Sequence, residues 1–314
     1  MLSAYLLVSH GSSDPRHQAG LLRLANITRQ HLTRLQYSQQ HTETMGQFYD
    51  TYRSHQPDNA VEVATVGTAR NRFPSRAHKS LERSILPPNI AVGTATLEAS
   101  QVPLARQIEV FTKRVMAHGI RRVVLVPLFL QEGVHVKEDL PREIAIARAL
   151  LPTTLRLVCE PYLGGQPIFK QFVADRLQKT TADRCLLLAH GSRRPGGNRN
   201  LQQLADSLSA DVAFWSVPPD LETQVVNLMQ QGYRQIAIAP YFLLPGGITD
   251  AITRQTEALA ERLSKLSLRL LAPLGTSSDL GIAIAETLFA ATPTFPLPKW
   301  GRDRWQPAQD GITA

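Results

Sequence analysis

Short runs of consecutive apolar residues alternate along the chain with segments in which apolar residues recur every three or four positions. The apolar runs include 4–8, 123–130, 186–189 and 236–243, and they are typical of parallel strands covered on both faces. The recurring pattern predicts helical faces over Leu104–Val115, Leu140–Leu151, Leu201–Leu208, Leu221–Leu228 and Leu259–Leu266, with Gly119 and Gly232 just beyond two helix ends. Each half of the chain therefore reads as β-α-β-α-β-α-β-α, an α/β fold with parallel sheets.

The two halves repeat each other. Residues 6–12 read LLVSHGS, and residues 186–192 read LLLAHGS at an offset of 180. The runs 123–130 (VVLVPLFL) and 236–243 (IAIAPYFL) match at an offset of 113, as do 155–159 and 268–272. Such self-similarity indicates an internal duplication. The two offsets differ by 67 residues, which indicates an insertion between the first and third strands of the first half.

The repeat and the composition predict the domain boundaries. We expect a first lobe over 1–165 with a polar insertion at about 36–88, a connecting helix over 166–182, a second lobe over 183–291 and a flexible tail over 292–314. The insertion is expected to be partly helical and partly disordered. Its His41, His55 and His78 are irregularly spaced and do not indicate a metal site. In the tail, Trp300 and Trp305 are candidates for docking onto a partner.

Composition excludes several classes of protein. No run approaches 18 apolar residues, so no membrane span is expected, and Met1–His10 reads as a first strand rather than a signal peptide. Cys159 and Cys185 form no C-x-x-C pair, which favours two buried thiols in a cytoplasmic protein. The net charge of +8 permits an anionic partner. Without a nucleic-acid-binding motif, no nucleic acid is expected.

Two histidines follow predicted strands. His10 ends the first strand in an H-G-S turn, and His135 lies in the loop Gln131–His135 after the third strand. Ligands collect outside the carboxyl ends of parallel strands, so we expect both imidazoles to converge on one ligand. The turn recurs at His190, which turn geometry alone would also explain, but the counterpart of His135 is Ile248. One complete site per chain is therefore expected.

Two enzyme classes with a similarly placed histidine do not fit. A histidine phosphatase needs an arginine beside the histidine to hold phosphate, whereas the preceding residues here are Ser9 and Ala189. An α/β-hydrolase needs a G-x-S-x-G nucleophile turn, and the sequence contains none.

These motifs together resemble the sirohydrochlorin chelatase family, the CbiX and SirB type of class II chelatase, in its long two-repeat form. The resemblance is carried by the H-G-S turn at His10, the segment Pro127–Pro141 (PLFLQEGVHVKEDLP), Leu97–Glu98 after the second strand, and the P-L-G turns. It implies two flavodoxin-like lobes around a porphyrinoid cleft and insertion of Fe²⁺ or Co²⁺ into sirohydrochlorin, for sirohaem or cobalamin. It implies no permanently bound cofactor, and neighbouring enzymes of the tetrapyrrole pathway as partners.

The resemblance also implies roles for individual residues. His10 and His135 would bind the metal and accept protons, Glu98 matches an acidic catalytic position, and Glu98, Glu132 or Asp139 would relay protons or orient an imidazole. Because sirohydrochlorin carries eight carboxylates, basic side chains near the two turns would bind it: Lys137, Arg142, Arg193 and Arg194. Further donors to the substrate would be Ser12, Ser13 and Ser192. A tetrapyrrole or metal carrier without catalysis is the alternative.

Overall fold

The first lobe follows the predicted order of strands and helices. The computed structural model describes residues 3–53 and 90–291, with side chains described in 3–39 and 90–291. The elements of the first lobe are β1 (Ser3–Ser9), α1 (Pro15–Arg53), β2 (Val92–Thr96), α2 (Leu104–Met116), β3 (Arg122–Pro127), a π-helical turn (His135–Asp139) that continues into α3 (Leu140–Leu150), β4 (Arg156–Cys159), a 3₁₀ turn (Leu163–Gly165) and α4 (Pro167–Gln178).

The second lobe repeats this order without the π-helical turn. Its elements are β5 (Arg184–Ala189), α5 (Arg199–Ser207), β6 (Asp211–Phe214), α6 (Leu221–Gln230), β7 (Gln235–Pro240), α7 (Gly247–Arg262), β8 (Ser267–Leu270), a 3₁₀ turn (Leu274–Thr276) and α8 (Ser278–Ala290).

The two sheets share one topology. Both are parallel and four-stranded, with strand orders β2-β1-β3-β4 and β6-β5-β7-β8. The pairing of Val8 with Pro127 in the first sheet is matched by that of Leu188 with Pro240 in the second. The predicted fold class, two flavodoxin-like lobes that arose by internal duplication, is therefore confirmed. Since the sheets are parallel, the carboxyl ends of all strands in one sheet lie at the same edge.

Some predicted segments differ from the structure or lie outside it. α1 continues through the first part of the predicted insertion to Arg53. The rest of the insertion with His55 and His78, the side chain of His41 and the predicted tail lie outside the described residues. The helical face predicted over Leu259–Leu266 was wrong at its end, because α7 stops at Arg262. Leu266 is nevertheless buried. Its place in the apolar pattern therefore indicates that the side chain is buried, and not that the backbone is helical.

The last helix of the described residues, α8, holds the two lobes together. α8 packs along α1, and one continuous apolar core includes side chains of both helices: Leu21, Leu24, Leu32, Leu280, Ile284 and Leu288. Each of these side chains is almost fully buried, which stabilises the fold by about 2 kcal/mol per residue. A buried hydrogen bond from Thr28 Oγ1 to the Gly281 carbonyl oxygen, 3.3 Å long, lies at the same contact.

We expect Gly281→Ala to destabilise the protein by about 1–3 kcal/mol, because overpacking strains a close contact between helices. A Cβ at Gly281 would lie 2.6 Å from Cγ2 and 2.9 Å from Cβ of Ile27 on α1. Chemical denaturation measures the change in free energy of unfolding. The matched control is Gly247→Ala in α7, where nothing lies within 4 Å of the new Cβ. Equal stability of the two variants would contradict the close packing of α8 on α1.

The carboxyl edges of the two sheets lie against each other. Tyr241, just after β7, donates its hydroxyl hydrogen to the carbonyl oxygen of Leu130, after β3, over 3.4 Å. Burial raises the pKa of Tyr241, so this hydroxyl remains protonated and can donate. Gly20 of α1 lies directly against the side chain of Leu244 in the loop after β7. Loops at the carboxyl ends of both sheets therefore border a shared region.

The structure can be compared with two predictions from composition, namely the state of the two thiols and the lack of a membrane span. Neither Cys159 nor Cys185 forms a disulfide, and both are half-buried rather than fully buried as predicted. Burial raises the pKa of the Cys159 thiol to about 11, which keeps it protonated near neutral pH. Within residues 3–53 and 90–291, every helix is too short or too polar to cross a bilayer.

Candidate metal centre

The end of β1 and the end of β2 bring His10 next to Glu98. The backbone N–H of Glu98 donates to the His10 carbonyl oxygen over 2.7 Å, and that of Leu97 donates to the Ser9 carbonyl oxygen over 2.9 Å. Gly11 adopts φ +99°, and a Cβ there would lie 2.1 Å from the Glu98 carbonyl oxygen. Only glycine allows this turn, so the H-G-S motif reflects close contact between two loops.

The π-helical turn after β3 positions His135. Its i to i+5 hydrogen bond runs from the Leu140 N–H to the His135 carbonyl oxygen, and such turns are frequent at functional sites. His135 Nδ1 lies 2.9 Å from Asp139 Oδ2. The other carboxylate oxygen, Oδ1, accepts a hydrogen bond of 3.0 Å from Arg142 Nη2. Asp139 thus orients the His135 imidazole, and Arg142 in turn orients Asp139.

The two imidazoles meet, as the sequence predicted. His10 Nε2 lies 3.0 Å from His135 Nε2, and the rings are nearly perpendicular with centroids 4.5 Å apart. Glu98 Oε2 lies 3.6 Å from His10 Nε2. One possible ligand atom from each of His10, Glu98 and His135 lies within 4.8 Å of the others. The side chains of His10 and Glu98 are about half exposed and that of His135 is 33% exposed, so solvent reaches all three.

The hydrogen bonds of the rings favour lone pairs on both facing nitrogens. His10 Nδ1 lies 3.2 Å from the Gly11 carbonyl oxygen, as His135 Nδ1 faces Asp139. An oxygen acceptor beside Nδ1 favours the neutral tautomer with its proton there, which leaves the lone pair on Nε2. Two such lone pairs 3.0 Å apart repel each other unless a proton or cation binds both. At a metal–nitrogen distance of about 2.1 Å, a shared divalent ion would bond to them at about 90°.

The three carboxylates considered for orienting an imidazole take different positions. Asp139 contacts His135, and Glu98 lies beside His10. Glu132 instead forms an ion pair with Lys137, with 3.4 Å between Oε2 and Nζ. The geometry thus distinguishes residues that the sequence left as alternatives.

The predicted substrate-binding residues fall into two groups. In the first lobe, Ser12 and Ser13 follow His10 in its turn, Lys137 lies in the π-helical turn with His135, and Arg142 donates to Asp139. Ser12 Oγ accepts a hydrogen bond from the Asp14 N–H over 3.1 Å. In the second lobe, Ser192, Arg193 and Arg194 occupy the equivalent turn after β5. There Ser192 Oγ accepts from the Arg194 N–H over 3.2 Å, and both arginines are exposed.

The second lobe has kept the turn but not the ligands. The Ser216 N–H donates to the His190 carbonyl oxygen over 2.9 Å, the same bond that Glu98 makes to His10. Ser216 therefore takes the place of Glu98, and Ile248 takes that of His135. Of the described residues, His10, Glu98 and His135 are the one group of three that could hold a metal ion.

Sequence reasoning missed His17. Its Nε2 lies 3.2 Å from the hydroxyl oxygen of Ser9, next to His10 along the chain. Burial, and then the proximity of His10, lower the pKa of His17, so it remains neutral at neutral pH. No motif pointed to this residue, since only the fold of α1 back onto β1 brings the two side chains together.

Both halves of the chain match one known protein family. The CbiX family profile matches residues 77–180 and 184–291, more than half of the chain and one copy per repeat. The chain belongs to the CbiX family. The family predicted from the sequence motifs is thereby confirmed. The first match contains Glu98 and His135 but begins after His10, because the insertion separates β1 from the rest of its lobe.

Individual relatives agree with this family. The chain is 28% identical over 155 residues to a sirohydrochlorin ferrochelatase of Priestia megaterium; the alignment covers 45% of this chain and 58% of that protein. The structure of SirB from Bacillus subtilis with Fe³⁺ has 18% identity and a TM-score of 0.59, over 93% of this chain and 96% of that one. The sirohydrochlorin chelatase SirB from Bacillus subtilis subspecies spizizenii in complex with cobalt has 17% identity and a TM-score of 0.56, over 91% and 93%. At these identities the two structures establish the shared fold.

Proposed function

We propose that this protein inserts Fe²⁺ or Co²⁺ into sirohydrochlorin, with His10 and His135 as the groups that deliver the metal. The observation that carries the proposal is the pair of Nε2 atoms, 3.0 Å apart, with an oxygen acceptor beside each Nδ1. The relatives named for ferrochelatase activity, and for complexes with iron and cobalt, support the same chemistry.

The ligand set suits a metal that must be released. Two imidazoles and one carboxylate accept either ion, and they hold it more weakly than a cage of thiolates would. Because solvent reaches His10 and Glu98, the remaining coordination positions of a bound ion would face outward. A flat macrocycle can approach from that side and replace the protein ligands one by one.

The same nitrogens can balance the protons of the reaction. Insertion of M²⁺ into the free-base ring releases two pyrrolic protons, while four ring nitrogens replace the protein ligands. Once the metal leaves, the Nε2 lone pairs of His10 and His135 become free to accept those protons. Asp139 stabilises the positive charge that forms on His135, since the two groups lie 2.9 Å apart. Glu98, half exposed beside both rings, would carry protons to solvent.

The basic side chains would bind the rim of the substrate. Lys137 lies in the π-helical turn with His135, and Arg142 donates to Asp139 in the same turn. Arg193 and Arg194 are exposed on the matching turn of the second lobe. Their charges complement the eight carboxylates of sirohydrochlorin. The meeting carboxyl edges of the sheets are where such a ligand would lie.

Absorbance spectroscopy of free-base sirohydrochlorin tests the function and separates an enzyme from a carrier. Anaerobic mixtures with Fe²⁺ or Co²⁺ should convert to the metallated spectrum with many turnovers per protein. A carrier would give a shifted spectrum, stoichiometric with protein, and no turnover, and that result would contradict the proposal. The ratio of the two initial rates identifies the preferred metal.

A further inference from the structure

An arginine that follows the His10 turn bridges the two lobes. Arg16 lies in the first turn of α1, six residues after His10, and Asp250 lies in the first turn of α7 in the other lobe. Arg16 Nη1 lies 3.0 Å from Asp250 Oδ1, and Nη2 lies 2.7 Å from Oδ2. This is the bidentate geometry with which a guanidinium recognises a carboxylate.

The guanidinium uses its two edges differently. Asp14 binds the side edge, with 3.0 Å from Nε to Oδ1 and 2.6 Å from Nη2 to Oδ2. Asp14 is 20% exposed and belongs to the same turn as Arg16, whereas Asp250 is 41% exposed and belongs to the other lobe. Asp14 therefore fixes the orientation of Arg16, and the end edge that binds Asp250 faces across the boundary between the lobes.

Both carboxylates are ionised at neutral pH. The hydrogen bond from Arg16 lowers the pKa of Asp14 to about 2, and a second one lowers the pKa of Asp250. Two carboxylates thus share the guanidinium of Arg16, while Arg254 also lowers the pKa of Asp250 by its charge. Either carboxylate can therefore leave without stranding an unpaired Arg16. Asp250 is the one that can leave without unfolding the turn.

We propose that the end edge of Arg16 binds one carboxylate of the tetrapyrrole, and that Asp250 occupies this edge until the substrate arrives. The inference rests on the proposed function, because it requires an acidic macrocycle at the histidine pair. Exchange of one carboxylate for another leaves the charge and the hydrogen bonds of Arg16 unchanged. The same exchange breaks the Arg16–Asp250 contact between the lobes. Substrate binding would therefore free α7 of the second lobe from α1 at this contact.

Binding of metal-free sirohydrochlorin, followed by fluorescence titration, tests the exchange without any chelation step. Arg16→Lys keeps the charge but loses the bidentate edge, and its affinity should fall about 10-fold, the effect of one charge-assisted hydrogen bond. Asp250→Asn removes the competing charge and should tighten binding by up to about fivefold, the free energy of an exposed ion pair. In the Arg16→Lys background, Asp250→Asn should no longer tighten binding.

Glu222→Gln is the matched control. Glu222 is 42% exposed and pairs with Arg262. Arg262 is the last residue of α7, the helix that carries Asp250, and Glu222 belongs to α6, so this ion pair lies within the second lobe. This variant should bind sirohydrochlorin as the wild type does. Unchanged or weaker binding in Asp250→Asn would overturn the exchange and leave the pair as a structural contact. If the wild type bound no sirohydrochlorin at all, the proposed function would fail, and this inference with it.

Discussion

Replacing either His10 or His135 with alanine is expected to lower the rate of metal insertion by about 100-fold or more, the range for losing a positioned proton acceptor. Each variant removes one of the two nitrogens that face each other across 3.0 Å, and with it a proposed metal ligand and a proposed base. The initial rate of sirohydrochlorin metallation with Fe²⁺ or Co²⁺ measures the loss. Because the side chain of His10 is about half exposed and that of His135 is 33% exposed, the fold should remain intact, as circular dichroism can check.

His190→Ala is the control for these variants. His190 occupies the same H-G-S turn in the second lobe and is also exposed, but Ser216 and Ile248 replace the other two ligands there. We expect its metallation rate to match the wild type. A loss in His190→Ala as large as in His10→Ala would contradict a single site per chain.

Asp139→Ala is expected to lower metal affinity or activity by about 10–100-fold, as is usual when a carboxylate behind a metal-binding histidine is lost. Asp139 Oδ2 lies 2.9 Å from His135 Nδ1, where a carboxylate favours the tautomer that leaves the lone pair on Nε2. Without it, the ring can rotate or adopt the other tautomer. Titration with Co²⁺, followed by its visible absorption, reports affinity independently of turnover.

Two variants identify the cause of that loss. Asp139→Asn keeps an oxygen acceptor near Nδ1 but removes the charge, so its affinity should lie between those of Asp139→Ala and the wild type. Glu138→Ala removes the adjacent exposed carboxylate from the same π-helical turn and should bind Co²⁺ normally. Equal losses in Glu138→Ala and Asp139→Ala would point to general surface charge rather than to orientation of His135.

The sequence predicted the fold because its strands are continuous apolar runs and because the lobes repeat each other. A repeated pattern doubles the evidence for each element, as in the match between 123–130 and 236–243. Where the pattern misled, at Leu263 and Leu266, the residues are apolar because they approach the core after the helix has ended. The domain boundaries at 165 and 183 remain predictions.

The meeting of His10 and His135 was predictable from topology alone, since neighbouring parallel strands end at one edge. The choice of Asp139 over Glu132 was not, because the π-helical turn decides which carboxylate reaches the ring. Arg16 contacts Asp250, and His17 contacts Ser9, but no sequence motif connects the two residues of either pair. Only the three-dimensional packing shows these contacts.

The second lobe has no histidine in the place of His135 and no carboxylate in the place of Asp139. At the offset of 113, the counterpart of His135 is Ile248, and that of Asp139 is Ile252. Ile252 is completely buried in the second lobe's apolar core. The lobe has thus exchanged an imidazole and its orienting carboxylate for apolar packing, and we infer that it serves substrate binding rather than metal delivery.

The most direct test is the position of a bound ion. A crystal of the protein soaked with Co²⁺ and measured at the cobalt absorption edge should show an anomalous peak about 2.1 Å from Nε2 of both His10 and His135. The Asp139→Ala crystal should show a weaker peak in the same place. A cobalt ion bound elsewhere, or bound by only one of these histidines, would contradict metal delivery by the pair.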